Sequence, residues 1–266
     1  MNVQHLIPQL KQLRLSGILD GLEVRTDQAR SEQWSHLEFL TRLVQDEVER
    51  RNQKQLAMRV RRGGLHSSKT LTSFDFSFNP TINRQLVHDL ATCTFVRQHR
   101  NVLICGQTGV GKSHLAQALA HEAARQGFDV LVTGAHQMLL SINAGRADGT
   151  YARRLAGYVK PALLVLDDFG LKPLPPNGPA DMYDLIDQRY EVGSIVLTSN
   201  RAPSEWPELF TDPLLASAGL DRLGDRAYLL TITGRSFRLA HQQREEVAPP
   251  HDDGAATVPV TPTEYP

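Results

Sequence analysis

Apolar positions along this chain change period at about residue 100. Before it they recur at helical spacing: Leu6, Leu10 and Leu13, then Leu37, Leu40, Leu43, Val44 and Val48, with Gly17 and Gly21 as punctuation between the two stretches. Ser35 followed three residues later by Glu38 predicts a capping box that opens the second helix. Gly63-Gly64 ends it. The stretch from Thr70 to Pro80 reads as a connector in which Phe74, Phe76 and Phe78 alternate. That alternation fits an edge strand or, preferably, apolar anchors that pin the connector onto the next unit. A helix over about 82–97 follows.

From Asn101 onward short apolar runs alternate with helical patterns, which predicts a parallel sheet covered by helices. Strands are expected at Val102–Cys105, Val130–Thr133, Ala162–Leu166, Ser194–Thr198 and Tyr228–Ile232. Between the second and third, Met138–Gly145 and Tyr151–Val159 read as helices joined by Gly145-Arg146-Ala147-Asp148-Gly149. The expected organisation is an all-helical unit over 1–68, a linker and helix over 69–98, and a five-stranded α/β unit over 99–246. Residues 247–266, rich in Pro, Thr and Ala and without periodicity, are expected to be a disordered tail.

Charge sharpens this division. The 266 residues carry no formal net charge, yet residues 1–100 hold 15 Lys+Arg against 10 Asp+Glu, and residues 101–266 hold 14 against 19. A basic module joined to an acidic one is implied. Cys93 and Cys105 have no partner at metal-ligand spacing and read as buried thiols in a reducing compartment. No basic start with a long apolar run opens the chain, and no stretch of about 18 apolar residues occurs, so a cytoplasmic protein without membrane contact is expected.

The chemistry concentrates in Gly106-Gln107-Thr108-Gly109-Val110-Gly111-Lys112-Ser113, which has the spacing of a phosphate-binding loop between a strand and a helix. Glycines let the backbone turn with its N–H groups inward, and the positive end of the following helix adds attraction for phosphate. Lys112 would reach the β and γ phosphates, and Ser113 would offer a hydroxyl to Mg²⁺. The run Ala162–Leu166 ends in Asp167-Asp168. Beside the loop, Asp167 would hold Mg²⁺ through its water shell, and Asp168 would orient or deprotonate an attacking water. Asn200, after the fourth strand, would sit between the tips of the previous two if the strand order is that of ring-forming P-loop ATPases; the alternative is a turn cap. Trp206 reads as a packing residue. Arg222 and Arg226 fit surface salt bridges or, more sharply, an arginine supplied to a neighbouring subunit's γ-phosphate.

Arg50, Arg51, Lys54, Arg59, Arg61 and Arg62 put six basic residues and no acidic one into residues 50–62. A nucleic-acid backbone is one partner for such a run and water the other. With no aromatic residue interleaved, base stacking is unsupported. Arg146, Arg153 and Arg154 carry the same two readings.

Taken together, these residues resemble the IstB-like ATP-binding proteins. These are AAA+ ATPases that assist the transposase of a bacterial insertion sequence and are related to the helicase loader DnaC and the initiator DnaA. The likeness runs through Leu10–Leu15, Leu37–Leu40, Phe74-Asp75-Phe76, Asn101–His114, Leu164–Gly170, Arg189-Tyr190-Glu191, Thr198-Ser199-Asn200, Leu220–Leu223 and Gly234–Arg238. It implies an AAA+ P-loop core that binds ATP and Mg²⁺, with Gly106–Ser113 as Walker A, His114 beside it, and Asp167 and Asp168 as Walker B. Asn200 would be sensor 1 and Arg222 the arginine finger acting in trans. Arg238 falls where a sensor-2-like arginine is expected. The segment holding Arg146, Arg153 and Arg154 corresponds to an insertion that can face nucleic acid in a ring's centre.

Two departures stand out. Asp168 replaces the Glu of many AAA+ proteins, which suits an ATP-controlled switch better than a fast motor, and Arg235 and Phe237 stand where Glu and Tyr are usual. The resemblance therefore implies a homo-oligomeric, ATP-dependent regulator of transposition that assembles on double-stranded DNA and assists a cognate transposase. A helicase loader of the DnaC type is the alternative. A small-metabolite kinase is disfavoured because it leaves the basic N-terminal module without a role.

Overall fold

In the computed structural model, which describes residues 5–240, three helices precede the sheet: α1 (Ile7–Gln12), α2 (Ser16–Ser31) and α3 (His36–Arg62). The Ser35 hydroxyl accepts from the Glu38 N–H at 3.2 Å, which fixes the start of α3 as the sequence indicates. Glu38 itself lies 4.0 Å from Arg42, so the pairing that forms at this end is with the next turn of the same helix.

Gly17 and Gly21 do not punctuate; both lie inside α2. A Cβ on Gly17 would fall 2.6 Å from the Glu47 Cα, so the missing side chain lets the two helices touch along their backbones. Glu47, buried on α3, accepts from the Gly17 N–H at 2.6 Å and the Ile18 N–H at 3.3 Å, and so caps α2 from outside. Of the apolar positions on α3, Leu43 is buried, whereas Leu37, Leu40, Val44 and Val48 are 48–74% exposed.

Helices α4 (Arg84–Ala91) and α5 (Thr94–Arg97) occupy the span expected as one helix. The break is at Cys93, whose φ of 56° cannot continue an α-helix. Then strands and helices alternate: β1 (Val102–Gly106), α6 (Lys112–Arg125), β2 (Val130–Gly134), α7 (Ala135–Ala147), α8 (Tyr151–Val159), β3 (Leu163–Phe169), α9 (Gly178–Arg189), β4 (Ser194–Ser199), a 3₁₀ segment (Pro203–Leu209), α10 (Pro213–Gly224) and β5 (Tyr228–Ile232). All five strands pair in parallel in the order β2-β3-β4-β1-β5.

The alternation within each strand explains why the runs are apolar throughout. Val102 and Ile104 face one core with Leu115 and Leu119 of α6, while Leu103 and Cys105 face a second with Leu139 of α7 and Leu185 of α9. Cys93 and Cys105 are buried thiols whose pKa burial pushes up to about 11. Trp206 is a packing residue, edge-on to Phe169 at 5.6 Å.

The far half of α3 joins the sheet. Leu56 and Val60 pack on the first core, and the Gly63 carbonyl accepts from the Val132 N–H at 2.8 Å, covering the edge strand β2. The connector forms no strand; Phe74 and Phe76 anchor it against the same core. The Pro-rich 247–266 stretch lies outside the described residues, and no described helix is long and apolar enough to cross a membrane.

Candidate nucleotide site

Strand β1 delivers the loop and α6 receives it. Gly109 (φ 86°) takes a left-handed turn, and a Cβ there would fall 2.1 Å from the Ser236 hydroxyl, so glycine is required both for the turn and for the close approach of the C-terminal segment. That segment is fastened to the loop by the Phe237 N–H, which donates to the Gly109 carbonyl at 3.0 Å. Gly111 (φ 103°) then starts α6, whose first turn presents its N–H groups and positive end to the loop.

Lys112 is only 5% exposed. Its Nζ donates to the Gln107 carbonyl at 2.8 Å and to Asn200 Oδ1 at 2.5 Å. Burial lowers its pKa, against the opposing pull of Asp168 and Asp167. Asn200 reaches it because β4 lies between β3 and β1, which places the tip of β4 between the loop and the two carboxylates. The turn-cap alternative for Asn200 therefore gives way to a contact with the loop's own cation.

Asp167 and Asp168 are organised by a residue that the sequence did not single out alone. Thr198, fully buried on β4, donates its hydroxyl to Asp167 Oδ1 at 2.5 Å and accepts the Asp168 N–H at 3.0 Å. The pairing of β3 with β4 shifts between Leu166 and Phe169, and Asp168 sits at φ 57°, an uncommon conformation for a residue other than glycine. Its carboxyl is held above the usual range, first by burial and then by repulsion from Asp167. Burial thus lowers the pKa of the cation while the two carboxylates oppose that shift.

These groups open onto a cavity of about 400 Å³ bordered by Thr108–His114, Asp168, Asn200 and Arg238. Three aromatic rings also border it, Phe74 and Phe78 from the connector and Phe237, with Phe78 and Phe237 edge-to-face at 5.0 Å, alongside polar connector residues that include Lys69 and Asp75. Of the period-two phenylalanines, Phe74 and Phe76 pack on the core and Phe74 and Phe78 line the cavity. Asn79, 3% exposed, donates to the Val110 carbonyl at 3.0 Å and ties the same connector to the loop. The His114 ring turns to the connector, with Nε2 at 2.9 Å from the Thr70 carbonyl. Gly106 closes β1, where a Cβ would fall 2.0 Å from the Ile232 carbonyl; it serves the sheet's packing rather than the cavity wall. The positive charge of Arg238 is felt at both Lys112 and Asp168.

The donor set fits a nucleotide with its cation. Among the described residues no three His, Cys, Asp or Glu side chains gather to hold a metal. Ser113 borders the cavity, whereas Asp167 does not and its carboxylate is engaged by Thr198.

Arg222, at the end of α10, is elsewhere. It borders a second cavity with Asn101 and Ile195, at the starting ends of β1 and β4, whereas the loop follows the finishing end of β1. One chain alone therefore does not bring Arg222 to its own Lys112. Arg222 Nε pairs with Asp187 at 3.2 Å, while Arg226 pairs with both Asp225 and Glu191 at 3.3 and 3.4 Å.

The nine basic candidates separate as well. Arg50 pairs with Asp20 at 2.5 Å and Arg51 with Glu47 at 2.7 Å. Arg146 is bonded to the buried Asp181 and lies over the Tyr151 ring, and Arg154 pairs with Asp148 at 2.8 Å. Lys54, Arg61, Arg62 and Arg153 are exposed and Arg59 is half-buried; none of these five forms an ion pair among the described residues.

Comparison with known proteins agrees with this geometry. Residues 8–245 match the family described as IstB-like ATP binding protein. The chain is 39% identical over 230 residues to an ATP-binding protein described from an insertion sequence of Mycobacterium tuberculosis, covering 86% of this chain and 92% of that one. It is 34% identical over 238 residues to the protein described as the ATP-binding protein of insertion sequence IS21 of Pseudomonas aeruginosa, covering 90% of each. Among solved structures, the replication initiator DnaA bound to AMPPCP and single-stranded DNA shares the fold, with a TM-score of 0.53 and 22% identity over 68% of this chain and 56% of that one. The family match spans nearly the whole described length and two relatives above 30% identity cover most of the chain, so the chain belongs to the IstB-like ATP-binding proteins.

Proposed function

We propose that this protein is an ATP-hydrolysing, DNA-binding regulator of transposition, in which nucleotide at a subunit interface controls assembly on target DNA. The observation that supports it is the separation of the candidate residues between the two ends of the sheet. Lys112, Asp168 and Asn200 border the cavity at the loop, while Arg222 borders the cavity at the opposite end, away from its own Lys112, and its proposed ligand is another subunit's nucleotide.

In the assembled site Lys112 would leave Gln107 and Asn200 for the β and γ phosphates, and Ser113 and Asp167 would hold Mg²⁺, which neutralises phosphate charge. Asn200, released from Lys112, would position the attacking water, and Asp168, with its raised pKa, would accept that water's proton. Arg222 of the adjoining subunit would meet the charge that develops on the γ-phosphate. Binding energy that needs both subunits shifts the monomer towards the oligomer, so ATP favours assembly and hydrolysis reverses it.

Lys54, Arg59, Arg61, Arg62 and Arg153 are the residues proposed to meet duplex phosphates, because they form no ion pair among the described residues. Arg50, Arg51, Arg146 and Arg154 would have to surrender ion pairs to do so. The transposase is the proposed beneficiary of the assembly, on the strength of the insertion-sequence relatives.

The test is sizing with ATP, ADP or no nucleotide, with and without duplex DNA. ATP-dependent assembly that DNA enhances, and that weakens steeply with salt on DNA, is expected. Assembly indifferent to nucleotide, or capture of a replicative helicase by the N-terminal helices with no duplex binding, would overturn the reading.

A further inference from the structure

The second cavity, of about 180 Å³, is bordered by four guanidinium groups, those of Arg100, Arg189, Arg222 and Arg226, and by two carboxylates, Glu191 and Asp225. Both carboxylates are taken by Arg226. Arg222 has Asp187 from α9, beyond the cavity wall.

Arg100 and Arg189 have no carboxylate among the described residues. Arg189, 1% exposed, spends its two terminal nitrogens on the carbonyls of Tyr158, Val159, Pro161, Ala162 and Ser194. Burial without a counter-ion pushes its pKa down to about 10. It contributes a fixed positive field, and its Nε is a buried donor without a partner among the described residues.

Arg100 is different. Its Nε donates to the Arg226 carbonyl at 2.7 Å, its Nη1 donates to the Tyr228 hydroxyl at 2.8 Å, and the guanidinium stacks on the Tyr228 ring at 4.1 Å. These contacts fix the fork and leave Nη2 without a hydrogen bond among the described residues. Arg222 is held likewise, through Nε by Asp187 and through Nη1 by the Ala218 carbonyl at 2.9 Å, again with Nη2 left without one.

Arg100 and Arg222 thus border one small cavity from different elements, and with Arg222 and Arg226 matched by Asp187, Glu191 and Asp225, the positive charge left without a described carboxylate is that of Arg100 and Arg189. An ion of more than one charge, with oxygens in more than one direction, matches that arrangement better than a planar carboxylate.

We infer that this cavity is an oxyanion site for a phosphate group, with Arg100 as a second phosphate-binding arginine beside Arg222. The inference rests on the trans reading of Arg222 where the phosphate is the terminal one of a neighbouring subunit's nucleotide; free inorganic phosphate is the other source.

The experiment uses the full chain saturated with ADP, so that the loop is occupied. Inorganic phosphate is titrated and followed by phosphorus line broadening, with ATP turnover measured in parallel on wild type, Arg100→Gln, Arg100→Lys and Arg222→Ala. Phosphate binding that Arg100→Gln weakens at least tenfold, with Arg100→Lys between it and wild type, supports the site with free phosphate as the source. Absence of phosphate binding, with kcat at least tenfold lower in Arg100→Gln at unchanged KM and partly restored in Arg100→Lys, supports it with the neighbour's nucleotide as the source. Should Arg100→Gln fail to match wild type in thermal melting, Arg100→Lys alone decides, since lysine keeps the charge and loses the fork. No phosphate binding together with wild-type turnover in the Arg100 variants overturns the inference. Turnover unchanged in Arg222→Ala overturns instead the functional reading on which its second form rests.

Discussion

Replacing Thr198 with Val should disable the site while leaving the sheet in place. The hydroxyl lies between the two carboxylate residues, donating to Asp167 Oδ1 at 2.5 Å and accepting the Asp168 N–H at 3.0 Å, and it is fully buried on the central strand β4. Valine suits a buried strand, so the cost falls on the two lost hydrogen bonds. A bond to a charged group contributes about 1.5–3 kcal/mol and a neutral one about 1 kcal/mol, and Asp167 recovers part of its share from water because it is only half-buried. The expected loss of stability is about 2 kcal/mol. The functional effect should be larger than that loss alone, because Asp167 then lacks the partner that aims it. Loss of such an orienting bond weakens metal binding by roughly 10–100-fold. Turnover measured against Mg²⁺ concentration at saturating ATP should show the midpoint moving up by that factor. An unmoved midpoint, in a variant that melts about 2 kcal/mol less stable than wild type, would show that Thr198 serves the fold and not the carboxylates.

Two further substitutions separate function from stability. Asp168→Asn should reduce turnover by about 10²-fold or more as the proton acceptor is lost, yet raise the melting temperature at neutral pH. The folded carboxyl has a raised pKa, so its charged form carries a penalty at neutral pH that fades as pH falls through the folded value, and the stability difference from the variant should narrow on acidification. Gly17→Ala should cost about 1–3 kcal/mol in chemical denaturation, since its Cβ would lie 2.6 Å from the Glu47 Cα and force α2 off α3; an unchanged midpoint would refute that contact.

Much of the core was legible in the chain. Five apolar runs matched the strands to within a few residues because a strand buried on both faces needs apolar side chains at every position, and that requirement is local. The loop was legible because its glycines answer to backbone geometry. What stayed hidden depends on distant partners. Gly17 and Gly21 looked like breaks because only the approach of Glu47 and Asp46 shows why small residues are needed inside that helix. Arg189 looked like part of a family signature, and only the fold shows that it collects five carbonyls around the starts of β3 and β4. Leu37, Leu40, Val44 and Val48 had the right period for a helix, but the period does not say which side meets α2. The basic run likewise gave a composition, and only the structure separates Arg50 and Arg51, which form ion pairs, from Lys54, Arg61 and Arg62, which form none among the described residues.

The central claim is that one subunit's loop and another's arginine form a single ATPase site. Mixing two variants tests it most directly: Lys112→Ala, which lacks a working loop but keeps Arg222, and Arg222→Ala, which keeps the loop. Each alone should be inactive, and the mixture should recover ATP turnover, because some interfaces then join an intact loop to an intact arginine. A mixture as inactive as its components, or an Arg222→Ala protein that hydrolyses ATP at the wild-type rate by itself, would contradict the shared site.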